Sequence, residues 1–404
     1  MSASPRLMPF PAEWALEDAA FGQGIAPTRL YCLLLPVWQV EIRADITEGE
    51  DFFLIDRFLG RGLRHGALHT VDELAAFFAL DRALVAQAVR FLTAIGHVRQ
   101  SADRLTLTPL GQRSVDDDIR YVVTRQDRRK LYFEALSGTP LTREHYDEEV
   151  VTLLSGDGLA QATRGDRHPR FTPVLGMSDF DASALDRLKH RKDRARFNLP
   201  VAMDALESLG AELVFLPVYV VRGHGGLLVY GQAGAGRAHD PELSELCTRA
   251  PELINALDNE EQAEETDERV RRAAQNWLGK QNLESVSPEQ EADGTWTVSL
   301  PAAAFRGNGI PEARIGTYRV AGSGFFRVWC KEPTPRKRAL LDRLDQRLGS
   351  RRHVSLPEAE ELIARLCRQL DLDPPELSRL RAGAGRTGHS GLEAQLARLE
   401  DEQK

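Results

Sequence analysis

The sequence predicts a multidomain α+β protein, and three observations support this fold class. A chain of 404 residues is long enough for roughly two to three domains. Hydrophobic residues at 42% and charged residues at 28% are ordinary globular values, which excludes a wholly disordered, collagenous or coiled-coil chain. Stretches with helical spacing of apolar residues alternate with short segments rich in β-branched and aromatic residues, so both helices and sheets are expected.

Composition also limits the class of function. No apolar run approaches the roughly 18 residues of a membrane span, and residues 1–14 lack the basic region and apolar core of a secretory signal. We therefore expect a cytoplasmic protein without membrane contact. Cys32, Cys247, Cys330 and Cys367 form no CxxC or Cys/His cluster, which predicts reduced thiols and no structural metal. The net charge of −8 restricts any nucleic-acid contact to a local basic patch.

The first elements follow from the placement of proline and apolar residues. Four prolines within residues 1–29 interrupt any long helix, so this segment is expected to be an irregular arm. The apolar, proline-broken segment Leu30–Ile42 predicts one strand or a pair of strands. Apolar residues at spacings of three and four predict a helix over Asp51–Arg64, which ends at Gly66.

Two consecutive helices are predicted next. Thr70 and Glu73 have the spacing of a capping box and predict a helix over Val71–Phe78. After a two-residue turn, Asp81 is expected to cap a second helix, Arg82–Ile95. One face of this second helix is continuously apolar, which indicates that it packs against a core. The face comprises Leu84, Val85, Ala88, Phe91, Leu92 and Ile95.

A β-hairpin is predicted directly after these helices. Gly96 closes the second helix, and residues 98–108 predict two short strands around a polar turn. The order helix, helix, turn, helix, hairpin is that of a winged helix. The phrase Leu107-Thr108-Pro109-Leu110-Gly111 follows the hairpin, and with it the segment from Asp51 to about Ser114 resembles the bacterial winged helix-turn-helix family.

The resemblance implies a DNA-binding surface. In such domains the second helix of the pair lies in the major groove, and the wing contacts the adjacent backbone or minor groove. Arginine and glutamine suit both tasks, because they bind guanine and adenine edges with two hydrogen bonds or hold phosphates. The implied contacts are Arg82, Gln87 and Arg90 on the helix, and Arg99, Gln100 and Arg104 on the wing.

The charge of the same segment leaves a second interpretation open. Residues 51–120 contain nine Arg and no Lys against nine Asp or Glu, whereas dedicated DNA-binding domains usually have a basic excess. Winged helices also serve as protein-docking modules, so a protein-binding or architectural role is the alternative.

Two segments further along the chain have a local basic excess. Residues 160–200 carry nine basic against five acidic side chains, and residues 331–353 predict a basic amphipathic helix. Solvated or ordinarily packed helices explain both segments equally well. The candidate nucleic-acid contacts in them are Arg191, Arg194, Arg336, Lys337 and Arg338.

The remaining elements are predicted as follows. Asp116–Asp118 suits the acidic first turn of a further helix, Leu141–Leu154 is predicted to be helical, and Val201–Leu209 predicts a helix before the strand Leu213–Val221. The predicted domains are an arm (1–29), a winged-helix domain (30–125), a mixed α/β domain (126–250), a charged helical connector (251–282), a small antiparallel sheet (283–335) and C-terminal helices with a mobile tail (336–404).

These observations predict a DNA-associated winged-helix protein without catalytic apparatus or cofactor. GxSxG, Walker and HExxH motifs are all missing from the sequence. A non-catalytic subunit of a bacterial DNA-acting assembly, including a phage-defence system, or a regulator fits best, with double-stranded DNA and protein subunits as partners. One alternative is a metal-dependent nuclease around Asp179, Asp181, Glu212 and Lys331. Another is a ligand-responsive transcription factor with an apolar pocket within Leu199–Tyr230.

Overall fold

The computed structural model describes residues 7–163, 170–175, 177–197, 199–233, 239–263, 266–305, 309–349, 351 and 353–402. Internal contacts divide the chain into two discontinuous units. The first unit comprises Met1–Pro36, Glu148–Met177 and Val214–Lys404, and the second comprises Val37–Asp147 and Ser178–Leu213.

The chain is built from helices and strands in an α+β order. The helices are α1 (Ala12–Phe21), α2 (Leu54–His65), α3 (Val71–Phe78), α4 (Arg82–Ala94), α5 (Pro109–Asp117), α6 (Gly156–Ala162), α7 (Ser183–Lys189), α8 (Pro241–Arg249), α9 (Pro251–Ala263), α10 (Thr266–Lys280), α11 (Pro333–Leu348), α12 (Leu356–Leu370), α13 (Leu377–Thr387) and α14 (Ser390–Glu402). The strands are β1 (Pro27–Glu50), β2 (Val98–Ser101), β3 (Arg104–Leu107), β4 (Arg120–Glu134), β5 (Thr139–Pro140), β6 (Thr172–Pro173), β7 (Ala202–Gly223), β8 (Gly226–Tyr230), β9 (Glu289–Gln290), β10 (Trp296–Leu300), β11 (Tyr318–Ala321) and β12 (Gly324–Cys330).

The second unit contains a compact set of elements that we call the helix–hairpin unit, residues 54–117. Thr70 and Glu73 form the predicted capping box of α3, and the Asp81 carboxylate accepts hydrogen bonds from two backbone amides of α4. Gly96 follows α4 with a φ of 79°, as a left-handed residue after a helix requires. Helices α2 to α4 and the antiparallel pair β2–β3 enclose one core, formed by Leu59, Leu63, Leu74, Val85, Val89, Leu92, Val98 and Leu105.

The largest sheet is built on two long strands. Its strand order is β5-β4-β1-β7-β8, and β6 pairs with β1 in parallel. Strands β1 and β4 run antiparallel from the pair Val37 and Glu134 to the pair Glu50 and Arg120. The segment Leu30–Ile42 is therefore part of one strand of 24 residues, and the predicted boundaries after residues 29 and 125 fall inside β1 and β4.

Three predictions in the middle of the chain are wrong. Val201–Leu209 has helical composition, yet from Ala202 onward it belongs to β7, because pairing in a sheet outweighs intrinsic propensity. The segment Leu141–Leu154 contains only a short 3-10 turn, Arg143–Tyr146. Asp116–Asp118 ends α5 instead of starting a helix, and Asp118 has a left-handed φ of 55°.

The first unit corrects the predictions for both chain ends. The expected irregular arm contains α1, in which Ala15, Leu16 and Ala19 are completely buried. The small sheet has the order β11-β12-β10-β9 and is mixed, since β10 and β12 are parallel. The predicted C-terminal helices are present, but the last of them, α14, is packed and not a loose end: Leu392 and Leu396 are completely buried in the core of the α10–α14 helices.

Candidate nucleic-acid interface

Helix α4 presents a polar exposed face. Its first turn is fixed by the Asp81 cap, and Val85, Val89 and Leu92 point into the core, so Gln87 and Arg90 on the other side are exposed. Arg90 has no ion-pair partner among the described residues. Its guanidinium group is therefore available for an anionic partner.

Arg82, at the first position of α4, is already paired. Its guanidinium donates to the Asp72 carboxylate at the start of α3. This hydrogen bond and, more weakly, the charge of Asp103 in the hairpin turn raise the pKa of Arg82. Both side chains of the pair are 72% exposed, and exposed pairs contribute little to stability, so a phosphate can replace Asp72 as partner.

The hairpin carries two further cations on its outer face. Cα pairing places Val98 opposite Leu107 on the buried side, so alternation puts Arg99 and Arg104 on the solvent side. Both arginines are exposed and lack an ion-pair partner among the residues that the structure describes. Gln100 donates to the carbonyl of Ala102 within the turn, at 3.2 Å.

The nine arginines of residues 51–120 therefore fall into two groups. Six are ion-paired, mostly where α5 packs on α2, and three have no ion-pair partner among the described residues. The three are Arg90, Arg99 and Arg104, all on α4 or the hairpin. The paired ones are Arg57 and Arg61 with Asp118, Arg64 with Asp116, Arg82 with Asp72, Arg113 with Asp117 and Arg120 with Glu50. Formal neutrality of the segment thus conceals a local positive surface.

The phrase Leu107-Thr108-Pro109-Leu110-Gly111 fixes the hairpin to α5. Thr108 caps α5: its hydroxyl accepts a hydrogen bond from the Gly111 amide at 3.1 Å and donates to the Gly96 carbonyl at 2.6 Å. A Cβ atom at Gly111 would lie 2.1 Å from the His97 carbonyl oxygen, so only glycine fits this close approach. The threonine and the glycine therefore hold the base of the hairpin in place.

His97 is a structural residue beneath the hairpin. It is 2% exposed, and its Nε2 lies 2.6 Å from the Tyr121 carbonyl oxygen at the start of β4. Burial lowers the pKa of His97, which favours the neutral imidazole with its proton on Nε2. This histidine joins α4 to β4 and does not reach the exposed basic surface.

The candidates in the middle basic segment have structural partners. Arg191 forms two hydrogen bonds with Asp193, at 2.7 and 2.9 Å, and stacks over Phe197 at 4.1 Å. Arg194 donates to the carbonyls of Lys189 and Pro200. Both side chains close the loop after α7, so they are not available to an external anion. Of the basic segment 160–200, residues 164–169 lie outside the described residues.

Two of the three candidates on α11 also have structural partners. Arg336 donates to the carbonyls of Leu370 and Asp371, at 2.9 and 2.7 Å, and its side chain is only 11% exposed. Arg338 pairs with Glu312 at 2.9 Å. These two arginines anchor α11 within the first unit, and Lys337 alone of the three points into solvent.

The nuclease alternative predicts a metal site, and the ligand-responsive alternative predicts an apolar pocket. Within the described residues, no three His, Cys, Asp or Glu side chains are arranged to hold a metal ion, and Asp181 accepts a hydrogen bond from the Ser183 amide in the first turn of α7. A cavity of about 370 Å³ in the first unit lies outside Leu199–Tyr230 and is mostly polar. It is lined by Pro27, Thr28, Arg29, Glu261, Asp267, Val270, Gln290, Asp293, Gly294, Thr295, Trp296 and Phe325.

A second surface of the helix–hairpin unit was not predicted from the sequence. Six large apolar side chains are exposed on the unit and at Phe53 directly before it, although Leu84 and Phe91 were assigned to the apolar face that packs against the core. We call this set the apolar surface: it comprises Phe53, Leu54, Phe58, Phe77, Leu84 and Phe91. The sequence did contain an indication of this surface: the apolar face of α4 spans more of the helix than Val85, Val89 and Leu92, the residues that the core buries.

Ring contacts join the aromatic members of this surface into two sets, Phe53 with Phe91, and Phe58 and Phe77 through Phe78. The Phe53 and Phe91 centroids are 6.4 Å apart, and the Arg120 guanidinium covers the Phe53 ring at 4.5 Å. Leu54 lies one helical turn before Phe58 on α2. The Phe58 ring lies 6.1 Å from Phe78, which in turn contacts Phe77 at 4.9 Å. Leu84 and Phe91 are two turns apart on one face of α4.

Comparisons with protein-family models, with curated proteins and with solved structures gave no match for this chain. Of the helices in the described residues, none has both the length and the apolar character needed to cross a membrane.

Proposed function

We propose that the helix–hairpin unit is a winged helix that contacts double-stranded DNA, in a chain that acts as a non-catalytic subunit of a bacterial DNA-acting assembly or as a regulator. The observation that carries the proposal is the sorting of charge. Arg90, Arg99 and Arg104 lack ion-pair partners among the described residues, whereas the other six arginines of residues 51–120 are ion-paired. A phosphate backbone is the partner that such a surface fits.

The geometry supports different roles for the α4 side chains and the hairpin side chains of this surface. Gln87 and Arg90 project from α4, which in a winged helix enters the major groove, and their amide and guanidinium groups suit adenine and guanine edges. Arg99 and Arg104 project from the hairpin, where contact with phosphates requires only charge and reach. Arg82 adds a fifth contact once it exchanges Asp72 for a phosphate.

The salt dependence of binding tests this proposal. The purified chain is titrated with a mixed-sequence duplex at several salt concentrations, alongside the variant R90A/R99A/R104A. Each lost phosphate contact lowers the slope of log K against log salt by about 0.9, so the triple variant is expected to lose about 2 to 3 from the slope. Its fold should be unchanged, because all three side chains are exposed.

A matched control separates local contact from general charge. The variant R143A/R379A/R386A removes three other exposed arginines that have no ion-pair partner among the described residues. It should bind with the slope of the wild type. Absence of wild-type binding at low salt, or an equal loss of slope in both variants, would refute the proposed interface.

The apolar surface favours a second candidate function, a protein-docking role for the same unit. Leu54 and Phe77 are 68% and 67% exposed, and exposed clusters of this kind mark interaction sites. Protein docking and DNA contact use different side chains of α4, since successive residues such as Arg90 and Phe91 project about 100° apart. The two functions are compatible in one molecule.

A further inference from the structure

We propose that the apolar surface is the contact through which two copies of this chain associate around a twofold axis. The inference goes beyond DNA contact and uses none of the arginines invoked for it. It is based on the size, the ring contacts and the charge surroundings of the surface.

The size matches half of a dimer interface. Phe53, Leu54 and Phe77 are each more than 60% exposed, and Phe58, Leu84 and Phe91 about 40%. With about 200 Å² for a fully exposed large side chain, the six expose roughly 600 Å² of apolar surface. The largest patch on a typical monomeric protein is about 300–600 Å², so the summed exposure of these six side chains is at the upper end. A standard interface buries about 800 Å² per partner, and homodimer interfaces are about 65% apolar.

Four of the six side chains also have ring partners that restrict them. Phe53 is fixed between Phe91 and the Arg120 guanidinium, which is itself paired with Glu50. Phe58 and Phe77 both pack against Phe78. Side chains that are already ordered lose little conformational entropy on association, which favours binding.

The charges of the module favour a second copy over a charged partner of another kind. The arginines that adjoin the apolar surface are ion-paired: Arg120, which covers Phe53, with Glu50, and Arg57, next to Phe58, with Asp118. Arg90 follows Gln87 on the side of α4 proposed to face DNA and projects about 100° away from Phe91. Two such surfaces meet without like-charge repulsion, whereas a strongly acidic or basic partner finds no complementary excess here. Because a twofold contact pairs each patch with itself, an uncharged apolar patch is self-complementary without further requirements.

Sedimentation velocity of the full chain tests the proposal. From about 1 to about 100 μM, the wild type is expected to shift from one copy to twice the 45.0 kDa monomer mass. The variant L54E/F77E places two carboxylates in the contact, which must then be desolvated, and should weaken association at least about a hundredfold. Both side chains are mostly exposed, so the variant should keep the wild-type circular dichroism spectrum and melting temperature.

The control variant V150E/L175E adds the same charge at exposed apolar side chains of the first unit, 47% and 69% exposed. It should dimerise like the wild type. A wild type that stays monomeric at about 100 μM overturns the proposal. A dimer that persists in L54E/F77E, or is lost equally in the control, also overturns it. DNA titration of L54E/F77E reports on the arginine surface separately.

Discussion

Replacement of Gly111 by alanine is expected to destabilise the helix–hairpin unit by about 2–3 kcal/mol. Gly111 lies in the first turn of α5, where the backbone of the chain passes directly over the His97 carbonyl. The added methyl group is small, and alanine is normally the better helix residue by about 0.5–1 kcal/mol. Helix propensity alone predicts that the alanine variant is more stable, whereas the contact with His97 predicts that it is less stable. The sign of the change therefore tests the contact.

The magnitude follows from three distances. The new Cβ would lie 2.1 Å from the His97 carbonyl oxygen, far below the 3.0 Å under which real Cβ contacts essentially never occur. Because the Cβ is attached to one backbone segment and the oxygen belongs to another, no side-chain rotation can relieve the clash. The clash can be removed only if α5 moves away from the hairpin. This breaks the 2.9 Å bond from the Thr108 amide to His97 and the 3.1 Å cap bond from Gly111 to Thr108. A lost cap costs about 1 kcal/mol and a lost backbone bond about 0.5–1.5 kcal/mol, to which local strain adds about 1 kcal/mol or more.

Hydrogen exchange measured by mass spectrometry is the suitable assay, because it reports on residues 97–117 separately from the rest of a two-unit chain. A loss of about 2–3 kcal/mol corresponds to about 30- to 150-fold faster exchange in this segment. The control is Gly279→Ala in α10, where a Cβ meets nothing within 4 Å. That variant should be neutral or stabilised by up to about 1 kcal/mol. Unchanged exchange in Gly111→Ala would refute the reasoning.

Two further predictions concern pH and the C-terminus. Burial lowers the pKa of His97 in the folded chain, while the unfolded chain titrates near pH 6.5, so stability is full above about pH 6.5 and falls as the pH drops towards the lowered pKa. Melting temperatures between about pH 7.5 and 5 should fall less steeply in His97→Gln than in the wild type, and identical pH profiles would contradict this role. Leu396→Ala should cost about 2–5 kcal/mol in urea denaturation, because Leu396 is completely buried. A loss below about 0.5 kcal/mol, as for a mobile tail, would show that α14 is not part of the core.

Local signals in the sequence determined the boundaries of the helix–hairpin unit. Thr70 with Glu73, Asp81 and Gly96 start and end helices through hydrogen bonds or backbone conformations within a few residues. The Thr108–Gly111 phrase acts in the same way, although its contact with His97 is closed by the hairpin. Since these interactions need little beyond their own neighbourhood, the order helix, helix, hairpin was predictable.

The candidate site was only partly predictable for a related reason. The sequence names every arginine on α4 and the hairpin, but not which ones are neutralised by a neighbour. Asp116 and Asp118 pair with arginines of α2 about fifty to sixty residues earlier in the chain. Arg336 donates a hydrogen bond to the distant carbonyl of Leu370. Which cations remain free is therefore a property of the fold, and a count of charges cannot supply it.

The long strands and the apolar surface were decided by tertiary structure alone. Residues 202–209 have the composition of a helix but extend β7, because hydrogen bonds to a distant strand outweigh a small difference in propensity. Leu84 and Phe91 have the spacing of core residues, yet the core covers only the side of α4 that carries Val85, Val89 and Leu92. Periodicity shows that a face is apolar, and only the packing of the neighbouring elements decides how much of that face is covered.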